Sequence, residues 1–274
     1  MTPGSLWRRF RRRGDFWGLL AYLVVFFTFM LAPIVIVVVV SFSDASFVAF
    51  PIEALSLRWY YRIWEYRPFM DSLIVSLELA ALSALLASGL GVPAALALVR
   101  SRSTYADLAA TFLLAPLSMP MIVLGFSLLY YLSWLGLGVS FLSLLLAHTV
   151  ISIPYVFRTV AGVYRGMGPD YEEAASILGA GRPQIFWHVT LPLIRPGIFA
   201  GALFAVLISL DNLPISFFFG SATSNTLPVV MLSYLQNQFD PSIAAISTVQ
   251  MLLAVAALLV VERVYGLKHM SVAA

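Results

Sequence analysis

The chain has 274 residues, of which 61% are hydrophobic and only 11% are charged. Soluble domains have roughly 45–50% apolar and about 25% charged residues, so this composition excludes a soluble protein and indicates a multispanning membrane protein. Cysteine is absent and only three histidines occur, which excludes disulfide scaffolds and thiol catalysis and gives no metal-binding pattern. The formal charge of +3 does not indicate nucleic acid, because the basic residues flank hydrophobic runs, where they set membrane topology.

Hydrophobic runs predict an all-α fold with six transmembrane helices. A hydrocarbon core of about 30 Å needs roughly 20 apolar residues in a helix. The charge-free run 108–157 is too long for one crossing, and the glycines at 134–138 divide it. The predicted spans are 16–42, 72–98, two spans within 108–157, 196–218 and 243–262.

The distribution of basic residues predicts that both termini are cytoplasmic. Thirteen of the 16 Lys and Arg residues fall in the two termini and in the connections after the second and fourth spans. Loops rich in Lys and Arg stay on the cytoplasmic side. The predicted segments are a basic N-terminal segment at 1–15, a six-helix transmembrane domain at 16–264 with a cytoplasmic connection at 166–195, and a cytoplasmic tail at 265–274. The arginines before the first span indicate an uncleaved signal anchor.

Two further segments carry local predictions. The first external loop, 43–71, contains Trp59, Tyr60, Tyr61, Trp64 and Tyr66, amphipathic aromatics that predict a short helix at the bilayer surface. The run 89–93, Gly-Leu-Gly-Val-Pro, lies inside the second span. It lacks the Lys and Ser/Thr of a phosphate-binding loop, so it indicates close helix packing or a kink.

The 166–195 connection has the pattern of a helical hairpin. Asp170 and Glu173 have the spacing of a capping box, which predicts a helix start with Asp170 as the cap. The Gly-Ala-Gly run at 179–181 predicts the turn, and Pro183 predicts a second helix start. Pro192, followed by a further proline, predicts a break before the fifth span. Such a small unit exposes large apolar side chains and is expected to dock onto another protein.

These residues resemble the "EAA loop" of ABC importer permeases that work with a substrate-binding protein. In that family the loop forms a coupling helix that sits in a groove of a cytoplasmic ATPase. The resemblance implies that Glu173 meets the ATPase, that Ala174 and Ala175 allow close approach, that Gly179 makes the turn and that Pro192 ends the second helix. The coupling set implied by the resemblance is Glu172, Glu173, Ala174, Ala175, Leu178, Gly179, Leu191 and Pro192.

A second set of motifs is similar to the second permease of spermidine/putrescine importers. It consists of Ser-Leu-Asp-Asn at 209–212, Asn-Thr-Leu-Pro at 225–228, Tyr234 and Asp-Pro at 240–241. The resemblance implies a bacterial inner-membrane subunit that forms half of a pore for a polyamine delivered by an external binding protein. The implied partners are a different second permease and two ATPase copies, which hold ATP and Mg²⁺; this chain binds no cofactor. Asn212 replaces the second acid of a pair that is common in the family, which weakens the case for a divalent cation substrate.

Four residues are candidates for the substrate pathway: Asp211, Asn212, Glu78 and Tyr234. A carboxylate at Asp211, at the outer end of the fifth span, could attract an ammonium group, or it could simply lie in headgroup water. Glu78 could take part as well, or it could snorkel or pair with an external arginine. No catalytic or metal-binding residue is predicted.

Other readings of the sequence remain open. The solute could be an amino acid, an opine or another amine. A self-sufficient ion-coupled transporter could use Glu78, His148 and Asp211 as a proton relay, although a lone histidine is more often a packed hydrogen-bonding residue between helices. An intramembrane hydrolase lacks a convincing pair of nucleophile and base.

Overall fold

The computed structural model describes residues 13–101, 103–221 and 224–265. The predicted N-terminal segment and C-terminal tail therefore lie almost wholly outside the described residues. Regular structure in the described ranges is helical, apart from one isolated bridge between Ser43 and Leu55. The helices are α1 (Arg13–Ser41), α2 (Arg58–Glu65), α3 (Arg67–Val99), α4 (Thr104–Leu114), α5 (Met121–Trp134), α6 (Phe141–Met167), α7 (Asp170–Ile177), α8 (Arg182–Ile185), α9 (Leu191–Leu210), α10 (Leu213–Phe219), α11 (Leu227–Asn237) and α12 (Ser242–Tyr265).

Five helical segments of the described chain are long and apolar enough to cross a membrane, and a bent pair makes a sixth candidate. The five are Trp17–Ser41, Arg67–Val99, Phe141–Met167, Arg182–Leu210 and Ser242–Arg263. The predicted all-α fold with six spans is confirmed if the bent pair counts as one crossing. The predicted break at 134–138 is present, and Gly136 and Gly138 there have φ values of 83° and 55°.

The third predicted span is not a straight helix. Thr104–Ser118 and Met121–Trp134 meet at 111°, a change of direction that the sequence does not predict. Pro120 lies in the break, and it offers no N–H to the carbonyl four residues back, which belongs to Pro116. Between them Ala115–Ser118 forms a tighter 3₁₀ turn. The apolar composition of this run identified membrane residues but not the change of direction.

The contacts of the chain form two compact units, one ending at Glu65 and including Gln238–Gln250, the other comprising Tyr66–Asn237 and continuing from Met251. In the first unit, α2 confirms the predicted short helix of the first loop. Its Tyr60 hydroxyl hydrogen-bonds the Ser41 hydroxyl at the end of α1, with 2.7 Å between the oxygens. Trp59 is buried, whereas the rings of Tyr61 and Trp64 are exposed.

The second unit is built on α3, α6 and α9, which pack against one another. A Cβ atom at Gly91 of α3 would lie 3.1 Å from Val156 Cβ of α6, which confirms that this glycine serves close packing. A Cβ at Gly201 of α9 would collide with the Thr159 hydroxyl and lie 2.8 Å from Val156 Cα. Small residues let the helix backbones approach, as expected where water does not drive helix association.

The fifth span differs from its predicted bounds of 196–218. The helix ends at Leu210, and Asp211 lies at its C-terminal cap. The side chain of Asn212 then accepts a hydrogen bond from the Ile215 backbone N–H at 3.0 Å and starts α10. Asparagine favours this capping role because its side chain satisfies the free N–H groups of a first turn. The predicted span therefore merged two helices that a local cap separates.

Candidate functional site

The hairpin between α6 and α9 is the segment to which the sequence assigns coupling. Gly168 has φ +68°, and the Pro169 carbonyl accepts hydrogen bonds from the N–H groups of Glu172 and Glu173 at 3.1 and 3.0 Å. Pro169 is therefore the cap, and Asp170 is the first helical residue, without a side-chain capping bond. The predicted capping box at Asp170 is therefore wrong: the helix begins one residue earlier than expected, and its cap is a proline that makes no side-chain hydrogen bond. The acids of this first turn still face the positive end of the helix dipole.

The turn of the hairpin forms where the glycine run predicted it. Gly179 has φ +85°, a conformation that a Cβ atom disfavours. The Ala180 N–H donates to the Ala175 carbonyl at 3.1 Å, and the Gly179 N–H donates to the Ser176 carbonyl at 3.0 Å. These bonds satisfy the last carbonyls of α7 as in a Schellman motif. The Gly181 N–H donates to the Gln184 side chain at 2.9 Å, which starts α8.

The second helical segment of the hairpin continues into the membrane helix without a break. A π-turn, Phe186–Thr190, joins α8 to α9, and the Leu191 N–H donates to the Phe186 carbonyl. The expectation that Pro192 ends a helix is therefore wrong. In a π-turn the backbone N–H groups bond to the carbonyl five residues back instead of four. Pro192 follows this turn, where the usual α-helical bonds are already replaced, so its missing N–H does not end the helix. Arg182–Leu210 forms one long helical segment as a result.

Glu172 is the centre of a hydrogen-bond network that joins the start of α7 to α3, to α6 and to the π-turn before α9. Its carboxylate forms an ion pair with Arg100, at the C-terminal end of α3. The Thr190 hydroxyl donates to Oε1 at 2.6 Å, and the Tyr164 hydroxyl of α6 donates to the same oxygen at 3.4 Å. Arg100 also donates to the Gly168 carbonyl at 2.8 Å. We call Arg100, Tyr164, Glu172 and Thr190 the Glu172 clamp.

The clamp is partly shielded from solvent. The side chains of Arg100 and Glu172 are 30% and 19% exposed, and Thr190 is buried. The Arg100 guanidinium lies 4.2 Å from the centre of the Tyr164 ring, a distance typical of a cation–π contact. Charged hydrogen bonds in such surroundings are stronger than those on an open surface. The start of α7 is therefore held to the ends of α3 and α6 and to the turn before α9.

The far end of the hairpin is apolar and exposed. Ile177 and Leu178 are 86% and 88% exposed, and the rings of Tyr171 and Trp187 are exposed as well. Glu173 and Ala174 are exposed, Ala175 and Leu191 are half-buried and Pro192 is exposed. A shallow groove of about 400 Å³ runs along the turn. It is lined by Leu178, Gly179, Ala180, Gln184, Ile185, His188 and Val189. Large apolar side chains exposed together at one place are typical of a contact with another protein.

The four candidate pathway residues have different surroundings. Glu78 lies within α3 and is exposed, and Asp211 is exposed at the end of α9. Asn212 is buried and serves as the cap of α10. Tyr234 is buried in an aromatic cluster, with ring centres 5.4 Å from Tyr66 and 4.9 Å from Phe69. Two of the four thus have a structural role, and the two carboxylates are open to surroundings outside the chain.

His148 joins helices in the interior of the second unit. Its Nδ1 lies 2.8 Å from the Ser209 hydroxyl of α9, and its Nε2 lies 3.0 Å from the Ser216 hydroxyl of α10. The side chain is fully buried, and both ring nitrogens have partners. The interpretation of His148 as a packed hydrogen-bonding residue accounts for these contacts, and neither Glu78 nor Asp211 is among its partners.

Sequence reasoning missed most of the Glu172 clamp. Arg100 entered the sequence argument only as one of the basic residues that set topology, and Tyr164 and Thr190 did not enter it. Arg100 and Glu172 are 72 positions apart, so no local spacing connects them. The one signal in the sequence was that Arg100 follows the second predicted span and Glu172 lies in the connection after the fourth.

Comparisons with known proteins agree with this architecture. The chain is 36% identical over 234 residues to the molybdenum transport system permease protein ModB of Mycobacterium tuberculosis, which covers 78% of this chain and 87% of that protein. It is 34% identical over 233 residues to the putrescine transport system permease protein PotI of Escherichia coli K12, with 82% and 83% covered. Identity to the spermidine/putrescine permease PotC of Haemophilus influenzae is 30% over 236 residues, with 86% and 91% covered.

Two solved structures share the fold. A chain of a bacterial ABC transporter that imports the polysaccharide alginate aligns with a TM-score of 0.72 at 16% identity, with 95% of this chain and 99% of that chain covered. A chain of the MetNI methionine ABC transporter aligns at 0.59 and 17% identity, with 72% and 96% covered. Residues 87–267 match the family described as "Binding-protein-dependent transport system inner membrane component". The chain belongs to this family of multi-pass inner-membrane ABC importer permeases, transport subunits whose ATPase is a separate protein.

Proposed function

We propose that this permease forms half of the translocation pore for a polyamine and is driven through the hairpin by a cytoplasmic ATPase dimer. In this proposal a different permease supplies the other half of the pore, and an external binding protein delivers the solute. ATP and Mg²⁺ are held by the ATPase. Both termini and the hairpin are cytoplasmic. The Glu172 clamp carries the coupling part of the proposal.

The clamp supports coupling because it makes the hairpin mechanically continuous with the membrane helices. The exposed tip at Ile177 and Leu178 offers a docking surface, and the Glu172 carboxylate ties the base of α7 to α3, α6 and the π-turn. A partner that moves the tip would therefore move three membrane helices together. Glu173 is exposed next to Glu172, so the two acids have different roles in this proposal. Glu173 contacts the ATPase, and Glu172 transmits the motion to the membrane helices.

Two observations support a cationic solute. Relatives at 34% and 30% identity are named as putrescine and spermidine/putrescine permeases. Glu78 is an exposed carboxylate within the membrane-spanning helix α3, where a charge is costly unless it serves a pathway or a partner. Asp211 is an exposed carboxylate at the C-terminal cap of α9. The relative at 36% identity is named as a molybdenum permease, so an oxyanion is the second candidate.

Uptake measurements separate the two solutes. The full chain, expressed with its own partner subunits in cells that lack polyamine importers, is expected to accumulate radiolabelled putrescine or spermidine. Asp211→Asn is expected to lower this uptake several-fold, whereas Asp107→Asn, a change of an exposed acid on α4, should leave it unchanged. Accumulation of molybdate without polyamine uptake would overturn the cationic solute and leave the hairpin coupling unaffected.

The orientation can be tested in the natural sequence background because the chain has no cysteine. A single cysteine at Ile177, at the tip of the hairpin, should react with an impermeant maleimide only in inside-out vesicles. A single cysteine at Tyr61, which is exposed on α2, should react only in intact spheroplasts. The reverse pattern would overturn the proposed topology.

A further inference from the structure

The chain changes direction between α9 and α10 in a break of two residues. Helix α9 ends at Leu210, and α10 begins at Leu213. Between them Asn212 has φ −86° and ψ 78°, and the Leu213 N–H donates to the Asp211 carbonyl at 3.0 Å, so the break is an inverse γ-turn. One tight turn does not extend the helical hydrogen-bond pattern. The angle between the two helices therefore depends on contacts with other parts of the chain.

His148 of α6 holds both sides of this break. Its Nδ1 lies 2.8 Å from the Ser209 hydroxyl at the end of α9, and its Nε2 lies 3.0 Å from the Ser216 hydroxyl in α10. All three side chains are buried. A neutral imidazole has one donor and one acceptor nitrogen, and a hydroxyl can take either role, so both bonds can form at once. Because the ring is rigid, the two hydroxyls keep a fixed spacing while both bonds persist.

The packing of α10 against α5 is close but apolar. A Cβ atom at Gly125 of α5 would lie 3.2 Å from Ile215 Cα and 3.0 Å from a ring carbon of Phe218. The side chains of Ile215 and Phe219 are fully buried. Apolar burial has no preferred direction, whereas hydrogen bonds weaken steeply when they are misaligned. The contact with α5 therefore holds α10 in the protein, and the bonds from His148 fix its orientation relative to α9.

We propose that His148 is a positioning residue of the translocation pathway, which sets the angle of the break and thereby the direction of the Asp211 carboxylate. Asp211 is exposed and lies two residues after Ser209 and five before Ser216. It therefore lies between the two points that the imidazole holds. His148 neither contacts the solute nor transfers a proton in this role. The proposal rests on the proposed function, in which the Asp211 carboxylate meets a cationic solute.

Hydrogen exchange tests the contact between His148 and α10 without reference to the solute. The full chain is purified with the subunits that it retains, and amide exchange in 213–219 is compared with exchange in the middle of α6. Ser216→Ala removes the bond to α10 and should raise exchange in 213–219 about tenfold. Thr149→Val is the matched control, because the buried Thr149 hydroxyl donates to the Leu145 carbonyl of its own helix. It should leave exchange in 213–219 unchanged.

Two conservative variants separate the two bonds of the ring. The side-chain amide in His148→Gln reaches the position of Nε2 and should keep exchange in 213–219 slow. The shorter amide in His148→Asn reaches only the position of Nδ1, so this variant should keep the bond to Ser209 and resemble Ser216→Ala. Unchanged exchange in both Ser216→Ala and His148→Asn would overturn the proposal, whatever solute the pore carries.

Uptake kinetics test whether His148 acts through Asp211. Ser216→Ala and His148→Asn should lower the maximal rate of putrescine uptake per folded complex severalfold, and His148→Gln should restore most of it. The KM should stay unchanged, because in the proposed function an external binding protein captures the solute. In the Asp211→Asn background neither change should lower the rate further, since a positioning residue has no effect once the group that it positions is removed.

The outcomes distinguish this proposal from the proposed function. Equal losses of rate with and without Asp211 would overturn the positioning role and leave the cationic solute unaffected. A normal rate in Asp211→Asn alone would refute the pathway assignment of Asp211 and the positioning role with it. Absence of polyamine uptake in the unmodified complex would overturn the cationic solute, and the exchange measurement would still decide whether His148 fixes the break.

Discussion

Replacing Glu172 by alanine separates the transmission of motion from the docking of the ATPase. The change removes the ion pair with Arg100 and the acceptor for Thr190 and Tyr164. A hydrogen bond to a charged group contributes about 1.5–3 kcal/mol. The Arg100 ion pair and the Thr190 hydrogen bond are only partly shielded from solvent. Together they therefore contribute about 3 kcal/mol to holding the hairpin in place. This corresponds to about a hundredfold increase in local opening.

The assay combines hydrogen exchange with coupled transport. Glu172→Ala should raise the exchange rate of backbone amides in 170–190 by about a hundredfold, while amides in the middle of α6 remain protected. The ATPase should still co-purify because the exposed tip is unchanged, but solute uptake per ATP hydrolysed should fall. Glu172→Gln should give an intermediate result because an amide oxygen still accepts from Thr190.

Glu173→Ala is the matched control for this experiment. Its carboxylate is exposed, and no described residue pairs with it. The control should leave hydrogen exchange of the hairpin unchanged and weaken ATPase retention instead. Normal exchange and normal uptake in Glu172→Ala would refute the idea that the clamp transmits motion.

Three further changes test other parts of the structure. Gly179→Val should cost about 1–2 kcal/mol in the turn, because φ is +85° there, and should reduce co-purification of the ATPase; full retention would contradict the assigned turn. Gly201→Leu should prevent accumulation of folded protein, because even its Cβ collides with α6, whereas Gly89→Leu has free space at Cβ and should accumulate normally; equal levels would contradict the packing. His148→Ala should lower thermal stability by about 1–3 kcal/mol, since it leaves two buried serine hydroxyls without their imidazole partner. Its pH profile of uptake should match that of the unmodified chain, and a shifted profile would favour the proton relay.

The sequence could predict the membrane segments because hydrophobicity reports the environment of a residue directly. Charge-free runs identified where the long helices lie, and the glycines at 134–138 and 179–181 identified two real turns. The direction of the chain at a bend and the roles of single polar side chains were harder to predict. Pro116 and Pro120 lie in a segment that is apolar throughout, so its composition could not show the 111° bend. The sequence predicts Asn212 as a pathway residue, and its role as the cap of α10 is visible only in the hydrogen bond that it accepts from the Ile215 N–H.

In the proposed coupling site, too, local features could be predicted and contacts between distant segments could not. The tip could be predicted from a local pattern, since a helix, a glycine turn and a second helix follow one another in the chain. The clamp could not, because its four members come from four segments that only the folded structure brings together. Pro192 was misread for a related reason: proline normally ends a helix, and no sequence period shows that a π-turn precedes it.

The π-turn at Phe186–Thr190 also sets the direction, around the axis of α9, in which the tip of the hairpin points. In an α-helix each residue advances the direction of the side chain by about 100° and the axis by about 1.5 Å. The wide turn holds one residue more than an α-turn, so the tip of the hairpin faces a direction that an uninterrupted α-helix would not give it. Conversion of this one turn to α-helical bonding would rotate the docking surface about the axis of α9 by about 100° without breaking the helix.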